Sequence, residues 1–219
     1  METFSFPSAL RATSQTWRID SRTRSGGETV TGREQVVSSG LGRWKATLSI
    51  ALFNRDAILA HQMLLAQLDG RANAVRLPFC LGTNGARVLP LLNGLPYAGK
   101  DLWLRPGLRR EDLGVAPKVR VTARAGATEI VIDPGTLSGF QAGVAFGLGE
   151  RLYLCTEYHG GAVATIKFRP KLRFQINAGT LVVWKSPRCI MRLASDDSGL
   201  ADIQIGRYGT ATFDFVEVW

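Results

Sequence analysis

Gly42-Arg43-Trp44-Lys45-Ala46-Thr47-Leu48-Ser49-Ile50 alternates without a fault. Trp44, Ala46, Leu48 and Ile50 fall on one side, and Arg43, Lys45, Thr47 and Ser49 on the other. A side-chain period of two marks a strand with one buried face. The period then changes. Asn54 is a good N-cap, Asp56 stands in the first turn where the helix dipole favours an anion, and Ala57 to Leu68 contains no breaker. Asp69-Gly70 closes the run, because glycine takes the left-handed conformation after a helix at little cost. The stretch therefore predicts a strand followed by a helix over about 55–69.

That helix is not cleanly amphipathic. Ala57, Ile58, Leu64, Leu65 and Leu68 fill one side of the wheel, while Leu59, Met63 and Ala66 fall roughly opposite. A helix with apolar residues almost all round is covered on more than one side. Either it is sunk in its own domain, or one face packs on the sheet and the other on a neighbouring subunit.

Working outward, Thr16 to Asp20 reads as an earlier strand, with Trp17 and Ile19 on its apolar side, and Thr29 to Val37 reads as the next. Ser21 to Gly27 between them is polar and Gly-ended, so a long hairpin with Arg22 and Arg24 at its tip is expected. A strand around Val75-Arg76-Leu77 follows the helix. From Pro78 to about Pro187 the texture changes to short β-like runs separated by Gly and Pro, the pattern of a small barrel or sandwich. These runs are Val88–Leu92, Leu102–Leu104, Val119–Thr122, Ile130–Ile132, Leu152–Thr156, Val163–Phe168 and Leu181–Trp184. Cys189 to Leu193, Ile203 to Ile205 and Thr210 to Trp219 resume strands, the last with Phe213 and Phe215 on one face. The expected fold class is mainly β: a β-sandwich of residues 1–78 plus 188–219 with one flanking helix, split by an inserted β-rich domain at 79–187. Cys80 and Cys189, which flank the two crossings, are expected in one neighbourhood.

At 219 residues the chain buries about 70% of its unfolded surface and needs no disulfide or metal staple. No apolar run approaches the roughly 20 residues that span a bilayer, and the first residues lack the features of a signal peptide, so cytosolic synthesis without a membrane partner is expected. Three cysteines without ligand spacing predict free thiols. Lys plus Arg number 27 against 18 Asp plus Glu, a net charge of +9. From Tyr158 to Ser195 there is no acid, yet Lys167, Arg169, Lys171, Arg173, Lys185, Arg188 and Arg192 fall there. Such a field suits an anionic partner, although a solvated face or an acidic protein neighbour is the simpler explanation, because no nucleic-acid recognition motif accompanies the charge. Gly139 to Gly149 lacks the Lys-Ser/Thr of a phosphate loop, Asp196-Asp197 is followed by turn residues, and neither His61 nor His159 has a catalytic motif around it. No catalytic, cofactor-binding or metal-ligating residue is expected.

In its order of elements, the chain resembles tailed-phage and prophage minor tail proteins of the distal tail protein type. The resemblance is carried by Trp17-Arg18-Ile19, Gly42 to Leu48, and Leu68-Asp69-Gly70-Arg71 running into Leu77-Pro78. Met191 to Asp196 and Tyr208 to Glu217 carry it at the other end, so it covers roughly residues 16–80 and 188–219. It implies a non-enzymatic structural protein that forms a six-fold ring with copies of itself. Such a ring joins the tail tube protein to the baseplate hub protein and leaves a lumen for DNA. The implied location is the virion tail tip, with assembly in the host cytoplasm. Leu59, Met63 and Ala66, together with Arg22 and Arg24, are then the expected subunit interface, and any DNA contact is transient and non-specific. Two other readings remain open: a non-specific nucleic-acid-binding β-barrel, and a carbohydrate-binding module using Trp103, Trp184, Tyr153 and Tyr158.

Overall fold

The computed structural model describes residues 1–21, 23–28, 31–79, 116–135, 137, 140–184, 186–203 and 209–218. Among them the chain is mainly β with one helix. The alternating stretch forms β5 (Arg43–Leu52), an interior strand of the first sheet. Its partners are β2 (Arg11–Asp20) on one side and β15 (Gly209–Glu217) on the other, both antiparallel. Beyond β15 come β13 (Arg188–Leu193), β6 (Ala74–Pro78) and finally β1 (Thr3–Ser5), which pairs parallel to β6. A short β14 (Ala201–Ile203) also pairs with β15, which makes seven strands.

The buried side of this sheet carries Trp44, Ala46, Leu48 and Ile50 of β5 and Ala211, Phe213 and Phe215 of β15, as alternation requires. Helix α1 (Arg55–Leu68) covers part of it, with Ala57, Ala60, Leu64 and Leu68 in the same core. The Asn54 side chain accepts the Ala57 N–H at 2.8 Å and caps the first turn. The helix ends at Asp69, which is left-handed at φ 46°, and its N–H returns to the Leu65 carbonyl.

A second sheet of six strands runs β12 (Val182–Val183), β9 (Ala145–Leu148), β10 (Arg151–His159), β11 (Ala164–Arg169), β8 (Glu129–Asp133) and β7 (Lys118–Val119). A bridge between Lys118 and Leu181 brings its two edges together, so the sheet nearly closes into a barrel around Phe146, Tyr153, Ile166 and Phe168. The strands flanking residues 79–187 are hydrogen-bonded neighbours: Pro78 lies opposite Arg188, and the Phe79 N–H donates to the Pro187 carbonyl at 2.9 Å. Cys80, Trp103 and the expected strands at 88–92 and 102–104 lie outside the described residues.

One expectation is corrected. The first long strand does not form a hairpin with the segment ending at Val37. Instead β3 (Thr23–Glu28) pairs with β4 (Glu34–Ser38) as a separate two-stranded ribbon, while β2 pairs with β5. Gly26-Gly27 is therefore inside the ribbon. The register shifts between Ser25 and Glu28, and Gly27 at φ 89° accommodates the bulge. The turn lies further on, where Gly32 has φ 74°.

Candidate assembly surface and the joint behind it

Successive residues of α1 step by 100°, which puts Leu59, Met63 and Ala66 on the face opposite the buried Ala57, His61 and Leu68. Leu59 is 50% exposed and Met63 46%, and Ala66 is exposed beside them. None of the three belongs to the core cluster on the other side of the helix. Two further exposed apolar residues flank the helix, and the sequence reading did not single them out. Phe53 immediately precedes the cap. Leu200 follows Gly199, whose carbonyl lies 2.8 Å from His61 Nε2 on the buried side. The helix thus presents leucine and methionine to solvent on its outer face.

The β3–β4 ribbon is exposed along both strands, with Val36 and Val37 among the bare apolar side chains. Arg24 is exposed on β3, opposite Val37, within the strand rather than at a tip. Arg22 lies outside the described residues. A two-stranded ribbon on its own is marginal in water, so this one also calls for a neighbour.

Behind these surfaces a buried charge cluster ties the two sheets together. Glu217, on β15, is 1% exposed, and the Arg173 side chain that meets it at 2.9 Å is 4% exposed. Trp44 N–H also donates to Glu217 Oε2 at 3.1 Å, and Arg151 of β10 lies 3.6 Å from Oε1. Arg173 further donates to the Gly42 carbonyl at 2.8 Å, Arg151 donates to the Val218 carbonyl, and the Trp44 indole donates to the Leu152 carbonyl at 2.7 Å. Glu217, Trp44, Gly42 and Val218 belong to the first sheet or its ends, whereas Arg151 and Leu152 come from β10 and Arg173 from the segment after β11, so the cluster bridges the two sheets. Burial, helped by the nearby Glu217 charge, pushes the Tyr153 phenol up to about 12. The cluster had one sequence signal: Glu217 shares the parity of Phe213 and Phe215, and a carboxylate on an apolar strand face needs a buried partner.

The segment 158–195, free of acids in sequence, is not free of them in space. Lys167 donates to Glu157 at 2.7 Å, which holds the Glu157 carboxyl below its usual range, and Arg173 is consumed by Glu217. Tyr153 and Trp184 are buried in the barrel core, and half-buried Tyr158 packs edge-on against Phe140. None of these three rings is offered as an open platform to a sugar. Among the described residues no helix is long and apolar enough to cross a membrane. No protein-family model matches the chain, and none of the curated proteins matches it at a significant level.

Proposed function

We propose that this chain is a structural component of a phage tail tip, of the distal tail protein type. Copies of it form a closed six-fold ring between the tail tube protein and the baseplate hub protein, around a lumen that passes DNA. The reading assigns it no catalytic step and no cofactor. It places the protein at the virion tail tip, after assembly in the host cytoplasm. Residues 1–78 plus 188–219 act as the ring-forming unit and 79–187 as an inserted one.

The observation that carries the reading is the apolar stripe of Leu59, Met63 and Ala66 on the outer face of a helix whose other face is already packed. The sequence resemblance supplies the kind of assembly, and the bare β3–β4 ribbon supplies a second element in need of a neighbour. Electron-microscopy class averages of the purified protein test this. The reading expects annular particles with a central hole and six-fold symmetry; compact particles without a hole, at every concentration imaged, contradict it.

A further inference from the structure

The seven-stranded sheet has a second face, turned away from α1. On β2 it presents Ser14, Thr16 and Arg18, and on β5 Lys45, Thr47 and Ser49. On β15 it presents Thr212, Asp214 and Val216, and on β13 Arg192. The register sorts these into transverse rows. Arg18 lies opposite Lys45, Lys45 opposite Val216, and Val216 opposite Arg192. The next row reads Thr16, Thr47, Asp214, and the one after it Ser14, Ser49, Thr212. Neighbouring strands lie about 4.8 Å apart, so the cationic row spans roughly 14 Å of sheet. Two acids temper it: Asp20 pairs with Lys45 at 2.8 Å, and Asp214 accepts the Thr47 hydroxyl at 2.6 Å. Arg18 is exposed, and the Nε of Arg192 is buried without a hydrogen-bond partner among the described residues.

We infer that this face binds the phosphodiester backbone of DNA, without reading its sequence. Arginine, lysine, serine and threonine are the side chains that contact phosphate oxygens, and here they stand in ordered rows on a rigid support. No aromatic side chain stands in these rows, so bases have nothing to stack on and backbone contact is what the surface offers. The site differs from the one the sequence pointed to. Arg192 is the only cation of the 158–195 run in these rows, and Arg18 and Lys45 join it from far earlier in the chain. The inference stands on the sheet face alone and does not require the ring.

The test is fluorescence anisotropy of a labelled duplex titrated with the full-length protein over a range of salt. The Arg18→Gln/Arg192→Gln variant is compared with Arg55→Gln/Arg124→Gln, which loses the same charge elsewhere. Each lost phosphate contact lowers the slope of log K against log salt by about 0.9, so the face variant should bind more weakly with a slope shallower by about 2. The control should bind as the wild type does, and unrelated duplex sequences should compete equally. Equal losses in the two variants, no binding at low salt, or residue-dependent binding to anionic phosphatidylglycerol vesicles but not to DNA would each overturn the inference. Particle images from the same preparation report on the ring separately.

Discussion

Glu217 is buried where an unmatched carboxylate would cost several kcal/mol, and the Trp44 N–H, Arg173 and Arg151 meet it there. Removing one partner strands the other charge. Arg173→Met should therefore destabilise the protein by about 3–5 kcal/mol in urea unfolding, and the double variant Arg173→Met/Glu217→Leu should cost clearly less than the sum of the two single changes. A loss under about 1 kcal/mol for Arg173→Met would show that the cluster is not coupled to folding. The thiols give a second prediction at this scale. Burial pushes the Cys155 thiol up to about 11, and burial, followed by the Glu217 charge, raises Cys189 well above its ordinary value. The thiolate is the reactive form, so at pH 8 both remain protonated in the folded protein. In a Cys80→Ser background, neither should react with a disulfide reagent until denaturant is added. Rapid release of one equivalent from the native protein would contradict this.

At the scale of elements, what was legible is what is written locally. The alternation at Trp44 to Ile50 and the cap at Asn54 each depend on neighbours in sequence, and β5 and α1 follow them closely. Two elements escaped for physical reasons. A glycine pair serves a bulge as well as a turn, so Gly26-Gly27 did not distinguish a ribbon interior from its tip. Strand β9, Ala145-Phe146-Gly147-Leu148, is buried on both faces and shows no alternation, so it read only as a Gly-rich run. The exposed stripe of α1 was legible as a pattern of Leu59, Met63 and Ala66, but its lack of cover needed the fold. Leu59→Lys with Met63→Lys should leave the stability of the single chain within about 0.5 kcal/mol, because about half of each side chain is exposed and neither belongs to the core cluster. Asn54→Ala, by contrast, removes a capping acceptor and should cost about 1 kcal/mol. Urea unfolding of the two variants side by side checks both numbers. A large loss from the lysine pair would mean that the stripe is part of the chain's own core.

At the scale of the molecule, the described residues form two sheets joined by a buried ionic cluster, one helix with an apolar outer face and a two-stranded ribbon. The charge cluster links the two sheets through Glu217, Arg173, Arg151 and the Trp44 indole. The uncovered apolar and ribbon surfaces are what a second copy would use. Native mass measurement of the wild type and of Leu59→Lys/Met63→Lys at matched micromolar concentrations tests this most directly. The account predicts one dominant wild-type species at six times the 23.9 kDa chain mass, reduced to the mass of a single chain by the lysine pair. A wild type that stays at the mass of one chain across the concentration range, or a six-chain species unaffected by the lysine pair, would contradict it.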